Sequence, residues 1–150
     1  MALYGPIDDH MKITQAETST DRSLSGRTTS WTTHVSVTFT STTKGPVLGE
    51  AFINSLYESG AVNFHCRLNL EVAGGTNYYS ERFTAGVQMA NNYAQMSSGS
   101  MNWTFQDVPV GTHVLRAQFR NMGNSSTAIM SYFDQGGQSS FDQVRAIYRG

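Results

Sequence analysis

Between Ala61 and Val72 the chain reads AVNFHCRLNLEV, and Val62, Phe64, Cys66, Leu68, Leu70 and Val72 alternate with Asn63, His65, Arg67, Asn69 and Glu71. A period of two puts every apolar side chain on one side of an extended strand, whereas a helix would scatter them around its axis. The same alternation returns at Trp31 to Phe39, at Met101 to Phe105 and at His113 to Phe119, with clusters of Gly, Pro, Asn or Ser between the runs. Half-buried strands separated by turns make this an all-β chain.

The 150 residues fit one domain with its own core. Only 14% of them are charged and the formal net charge is -1, which provides no basic field for nucleic acid or an anionic membrane. Ser and Thr together number 33, so the surface is built from neutral hydroxyls, and Thr also favours strands. Such a surface offers little charge repulsion between copies and suits close association. No apolar run approaches the 18 residues of a membrane span, and MALYGPIDDH has neither the basic start nor the apolar stretch of a signal peptide. The expectation is synthesis in a cytoplasm. The sequons at Asn102 and Asn124 carry little weight in a chain this rich in Ser and Thr.

Residues 1–30 contain few large apolar side chains and a polar run, TQAETSTDRSLSGRTTS; they read as an N-terminal arm or irregular edge segment. Residues 31–150 read as a single domain. Trp31, Thr33, Val35, Val37 and Phe39 are expected on one face of the first strong strand, with Thr32, His34, Ser36, Thr38 and Thr40 on the other. Further strands follow at VLGEAFINSLY, at 61–72, at NYYSERF after the AGGTN turn, at MNWTFQDV, THVLRAQFRN and TAIMSYF, and at FDQVRAIYR; GVQMANNYAQM reads as strand in preference to helix. Eight or nine strands of this kind are most economically arranged as an antiparallel β-sandwich of jelly-roll type.

VPVGTHVLRAQFR at 108–120, a Gly-rich break and the final FDQVRAIYRG resemble the ending of jelly-roll domains of the tumour-necrosis-factor-like or C1q-like type, including those of tailed-phage virion proteins. The resemblance covers Trp31 to Gly150 in pattern and Val108 to Arg120 in motif. It implies a homotrimer that serves on a bacteriophage virion as a capsid decoration protein, a fibre or a tip, with a major capsid or other virion protein as partner. The chain lacks the paired cysteines and the stalk of the tumour-necrosis-factor group, which argues against a cytokine role.

Catalytic constellations are absent from the sequence. His10, His34, His65 and His113 fall in separate segments without HxH, HExxH or Cys/His spacing, so no metal site and no cofactor is expected. His34 and His65 read as solvent-facing, and His113 as a sheet-edge side chain bonded to a loop carbonyl. Cys66 is the single cysteine, packs as a small hydrophobe, and cannot pair with the adjacent His65, which faces the other way. Asp8 and Asp9 lie in the arm, and Asp107, Asp134 and Asp142 in or near loops, where carboxylates usually cap turns. The expectation is a protein that is not an enzyme.

Two groups of residues point to binding. On the last strand Val144, Ala146 and Tyr148 share one face while Ile147 sits on the other, and apolar residues on both faces point to an oligomer interface. Of the neighbours Tyr78 and Tyr79, one must face the core and the other solvent; with Asn77 the exposed one offers a partner or ligand contact. The leading expectation is therefore a virion decoration or cement protein. A receptor- or carbohydrate-binding tip that takes a host glycan through the loops at 73–78 and 134–140 is the alternative.

Overall fold

The structure, a computed structural model, describes residues 11–18, 22–25, 27–59, 62–87, 95–121, 127–131, 133–135, 138–140 and 142–150. Among the described residues thirteen strands follow one another: β1 (Met11–Thr18), β2 (Arg22–Ser25), β3 (Thr32–Ser41), β4 (Gly45–Ser59), β5 (Val62–Glu71), β6 (Asn77–Tyr79), β7 (Phe83–Val87), β8 (Gln95–Val108), β9 (Gly111–Asn121), β10 (Thr127–Ser131), β11 (Phe133–Gln135), β12 (Gln138–Ser140) and β13 (Asp142–Arg149). All their pairings are antiparallel.

Partner choice defines the topology. β1 pairs with β13, β3 with β9, β4 with β8, and β5 with β6 and β7. Each of these pairs lies inside the one before it in the chain: a long hairpin folded over on itself, which is the nesting of a jelly roll. One sheet runs β1-β13-β4-β8, with β10 and β2 extending it beside the far half of β4; the other runs β3-β9-β5, closed by β6 and β7. Eight strand positions thus frame the sandwich, as the alternation leads one to expect. β11 and β12 pair as a separate two-stranded hairpin around the loop expected at 134–140.

Because β1 is the first member of the nest, the sandwich begins before Trp31. Residues 11–18 and 22–25, expected in a polar arm, are strands of the first sheet. β1 escapes a search for apolar periodicity because it is an edge strand whose inward side carries only Thr14, Ala16 and Thr18, all half-buried. Thr14 reaches the core edge through its hydroxyl, 2.8 Å from that of Tyr148. Residues 1–10, with Asp8, Asp9 and His10, and part of the GVQMANNYAQM segment lie outside the described residues.

The core is the space between the sheets. Val35, Val37 and Phe39 of β3, Leu68 and Leu70 of β5, and Leu115, Ala117 and Phe119 of β9 face Val47, Ala51 and Ile53 of β4, Met101, Phe105 and Val108 of β8, and Val144, Ala146 and Tyr148 of β13. Cys66 is buried here as expected, and burial pushes its thiol up to about 12. Gly49 matters for packing: a Cβ there would stand 3.1 Å from a Leu115 methyl and 3.3 Å from one of Leu68.

Three local irregularities carry consequences. Opposite Pro46, which has no N–H to give to the ladder, β8 bulges between Phe105 and Val108 and Asp107 adopts a positive φ of 54°. Asp tolerates this region better than most side chains do. In β3 the register shifts between Thr33 and Val35, which oppose the consecutive residues Gln118 and Ala117, so His34 is an extra residue. Its ring enters the core together with the side chain of the next residue, Val35, instead of alternating with it. Gly111, at φ 142°, lies against the turn after β5, where a Cβ would meet that of Ala73 at 2.6 Å.

Inside, His34 Nε2 donates to Asp142 Oδ2 at 2.5 Å, with both side chains fully shielded from solvent, and the His34 ring meets Phe119 edge-on at 5.9 Å. The pair ties β3 of one sheet to β13 of the other. Removing one partner strands a buried polar group, at a cost of ~3–5 kcal/mol for a pair of this kind.

Two outcomes follow from this packing. Deleting residues 2–18 removes β1 and is expected to lower the thermal midpoint by more than about 10 °C, followed by circular dichroism; a shift below about 2 °C would show that the sandwich stands without it. Gly49→Val, which drives two methyl groups toward Leu115 and Leu68, is expected to cost ~1–3 kcal/mol in a denaturant titration.

Candidate binding surfaces

With the inner faces packed together, function must lie on the outer faces and the ends. The outer face of the second sheet is formed by residues out of phase with the core: His65, Arg67, Asn69 and Glu71 of β5, Arg116, Gln118 and Arg120 of β9, and Asn77 and Tyr79 of β6. Trp31 and Thr33 join them from the start of β3. The alternation predicts Trp31 on the core side with Val35; the extra residue at His34 reverses the phase and turns it out.

Here the arginines stack on rings. The Arg67 guanidinium carbon stands 4.0 Å from the centre of the Tyr79 ring and 4.3 Å from that of Trp31, and the Arg120 guanidinium carbon stands 4.5 Å from Trp31. Each such contact contributes ~0.5–2 kcal/mol, more where water is excluded. Hydrogen bonds fix the heads: Arg67 Nε donates to Gln118 Oε1 at 2.9 Å, Gln118 Nε2 to Thr33 Oγ1 at 3.3 Å, and Arg120 Nε to His65 Nδ1 at 3.3 Å. Farther along, Arg116 bridges to Glu71 at 2.6 Å and donates to Asn69 Oδ1, while Asn69 Nδ2 donates to Asn77 Oδ1 at 3.0 Å.

This surface separates the two tyrosines as their adjacency requires. Tyr79 is 50% exposed on the outer face, while Tyr78 packs against the core. Asn77 sits beside Tyr79 on the same side. Trp31, Arg67 and Arg120, the centre of the surface, have no marker in the sequence beyond the placing of Arg67 and Arg120 on polar strand faces.

His65 is buried, against expectation, under this polar layer. Desolvation, then the charges of Arg82 and Arg120, hold its imidazole below the ordinary 6.5. His34, also expected at the surface, is in the core for the reason given above. His113 is fully buried, and its Nδ1 accepts the Ala73 N–H at 3.1 Å, so it holds a loop amide besides the loop carbonyl of Pro109 beside it. Burial lowers its pKa too, a nearby Pro109 carbonyl opposing the effect. The Pro-x-Gly-Thr-His stretch is thereby explained: Gly111 and His113 both clamp the turn that follows β5.

On the first sheet, Ile13, Ile147 and Leu48 stand opposite one another on β1, β13 and β4, in a row across the outer face. Met11 and Ile13 are each 60% exposed and Phe52 is 41% exposed. Next to the row, Phe52, Gln143, Ser100 and Asn102 and the Glu50–Arg145 ion pair frame an open depression of about 340 Å³. Of the four residues expected at an oligomer interface, Ile147 belongs to this face. Val144, Ala146 and Tyr148 are buried in the chain's own core, which accounts for their apolar character. Among the described residues no group of three or more His, Cys, Asp or Glu gathers to hold a metal ion.

The depressed histidines set a pH response. Above 6.5 both folded and unfolded imidazoles are neutral; below it the unfolded chain takes up protons that His65 and His113 resist, so stability falls as the pH drops. Histidine ring resonances in NMR are expected to show both residues titrating below 6.5, and a midpoint above that value for either would contradict the burial described.

No protein-family model matches this chain, and no curated protein does. Among solved structures, a chain in the structure of infectious bursal disease virus, Gx strain, is similar at 13% identity and a TM-score of 0.44. The match covers 95% of this chain and spans 38% of that one. The jelly-roll assignment rests on the nesting of the strands.

Proposed function

We propose that this chain is a non-enzymatic structural subunit of a virion, acting as a capsid decoration or cement protein that packs as a homo-oligomer against a major capsid or other virion protein. The observation that carries the reading is the apolar row Ile13–Ile147–Leu48, with Met11 and Phe52, on the outside of a sandwich whose inner faces already fill one core. A half-solvated antiparallel sheet ordinarily shows polar groups there. An exposed apolar patch rimmed by polar groups, here Glu50, Arg145, Gln143 and Asn102, has the anatomy of an interface. The net charge of -1 keeps repulsion between copies low.

A three-fold arrangement, as the family resemblance implies, places the row of each copy against its neighbour. Light scattering is then expected to give three times the 16.5 kDa chain mass. The double variant Ile13→Lys, Ile147→Lys puts charges into the row without touching the core, and is expected to run as a monomer with its thermal transition retained. A wild-type monomer at high concentration that also ignores particles from which it has been stripped would overturn the reading.

A further inference from the structure

The stacked arginines of the second sheet are not accounted for by an assembly role centred on the first. Arg67, Arg120 and Arg82 bring three cations to one surface, and none forms an ion pair with a carboxylate among the described residues, although Glu81 adjoins Arg82 in the chain. Arg116, by contrast, is paired with Glu71. In a chain with 10 Lys and Arg against 11 Asp and Glu, leaving three arginines together is a departure from the even mixing elsewhere. Like charges at this spacing repel, and an incoming anion would relieve the repulsion.

The geometry is also prepared for recognition. Stacking between Trp31 and Tyr79 positions the Arg67 guanidinium, and its Nε donates to Gln118, which leaves its terminal N–H groups along the Tyr79 side of the surface. A guanidinium held in this way meets a planar or tetrahedral oxyanion through paired hydrogen bonds with little further ordering. Tyr79 adds a half-exposed ring, and Asn77 an exposed amide, beside the charges. A ring face for C–H groups, amides for hydroxyls and fixed guanidinium groups for an acid are the contacts that an acidic sugar requires.

We propose that this face, with Arg67 and Arg120 as its anion-holding residues and Tyr79 as its stacking platform, is a binding site for an acidic saccharide bearing a carboxylate or a sulfate. A nucleic acid fits less well, because the cations form one compact group and do not extend into a track along which a phosphate backbone could run. The site stands independently of the assembly role, since it lies on the opposite sheet.

The test is calorimetric titration of the full chain with sialyllactose, with a sulfated galactose oligosaccharide that bears no carboxylate, and with lactose as the neutral control. Binding of either acidic probe and not of lactose is expected, and which of the two binds tells carboxylate from sulfate. Arg67→Gln and Arg120→Gln are each expected to weaken it by about tenfold or more, as loss of a charge-assisted pair of hydrogen bonds does, and Lys44→Gln, far from the face, to leave it unchanged. Arg67→Lys keeps the charge without the fork and is expected to fall with Arg67→Gln. If a variant unfolds, the wild-type comparison of acidic with neutral sugar, repeated at about 50 and 500 mM salt, still decides, since the acidic component must weaken as salt rises. Failure of both acidic probes to bind, binding indifferent to both arginine substitutions, or equal binding of a single-stranded oligonucleotide would overturn the proposal.

Discussion

One additional residue in β3 governs much of this molecule. The register shift at His34 sends that ring into the core, where Asp142 of the opposite sheet meets it, and in the same step turns Trp31 out to the arginines. A strand in strict alternation would put Trp31 with Val35 and leave His34 in water. A buried polar pair at an inter-sheet contact contributes little net stability compared with an apolar pair of the same size, but it penalises any register that separates its members. Slippage of β3 by one residue would uncouple His34 from Asp142 and exchange the core and surface sets of the strand together. The bulge and the pair thus constrain each other, and the outer face of the second sheet depends on both.

The alternation at 61–72, 113–119 and 101–105 made strands of both sheets readable, because the described residues of those strands turn their apolar side toward the core. Cys66 and the division between Tyr78 and Tyr79 follow from the same rule. What alternation cannot convey is a change of phase, and for that reason His34 and Trp31 are each on the side opposite to the one their positions predict. It is equally silent about β1, whose inner side is Thr14, Ala16 and Thr18: an edge strand covers the rim of a core and needs no large side chains. Val144, Ala146 and Tyr148 mislead for a different reason. A strand with apolar residues on both sides invites a partner for the richer side, yet here the richer side is the core and the single Ile147 is what remains outside.

The arginine–aromatic surface shows how a chain with few charges can use them. Arg116 is neutralised locally by Glu71, whereas Arg67 and Arg120 are held by rings and by neutral amide or imidazole acceptors. A carboxylate partner would have fixed them as firmly but would also have cancelled their charge. Rings hold the guanidinium plane while leaving the cation uncancelled, and burial, joined by the charges of Arg82 and Arg120, lowers the pKa of His65 and so favours the neutral ring that accepts from Arg120 Nε. Position and charge are in this way separated: apolar and neutral groups supply the first, and the second stays available to a ligand.

The apolar row on the other sheet has a different dependence, on closure of the jelly roll itself. Ile13 and Ile147 belong to the first and last strands of the nest, and Leu48 to the strand beside them, so the row is complete only when β1 has paired with β13 across nearly the whole length of the chain. The entropy of closing so long a loop grows only slowly with its length, and the closing contact on the inner side is modest, since β1 brings no large side chain to the core. An edge strand of this kind is among the first elements to open locally. A partner seated on the row would contact β1, β13 and β4 together, and its binding free energy would add to that of closure, since it binds only the closed form. Assembly and completion of the fold are then one linked equilibrium, in which an edge strand that brings little to the core is the one that a neighbour on this face would secure.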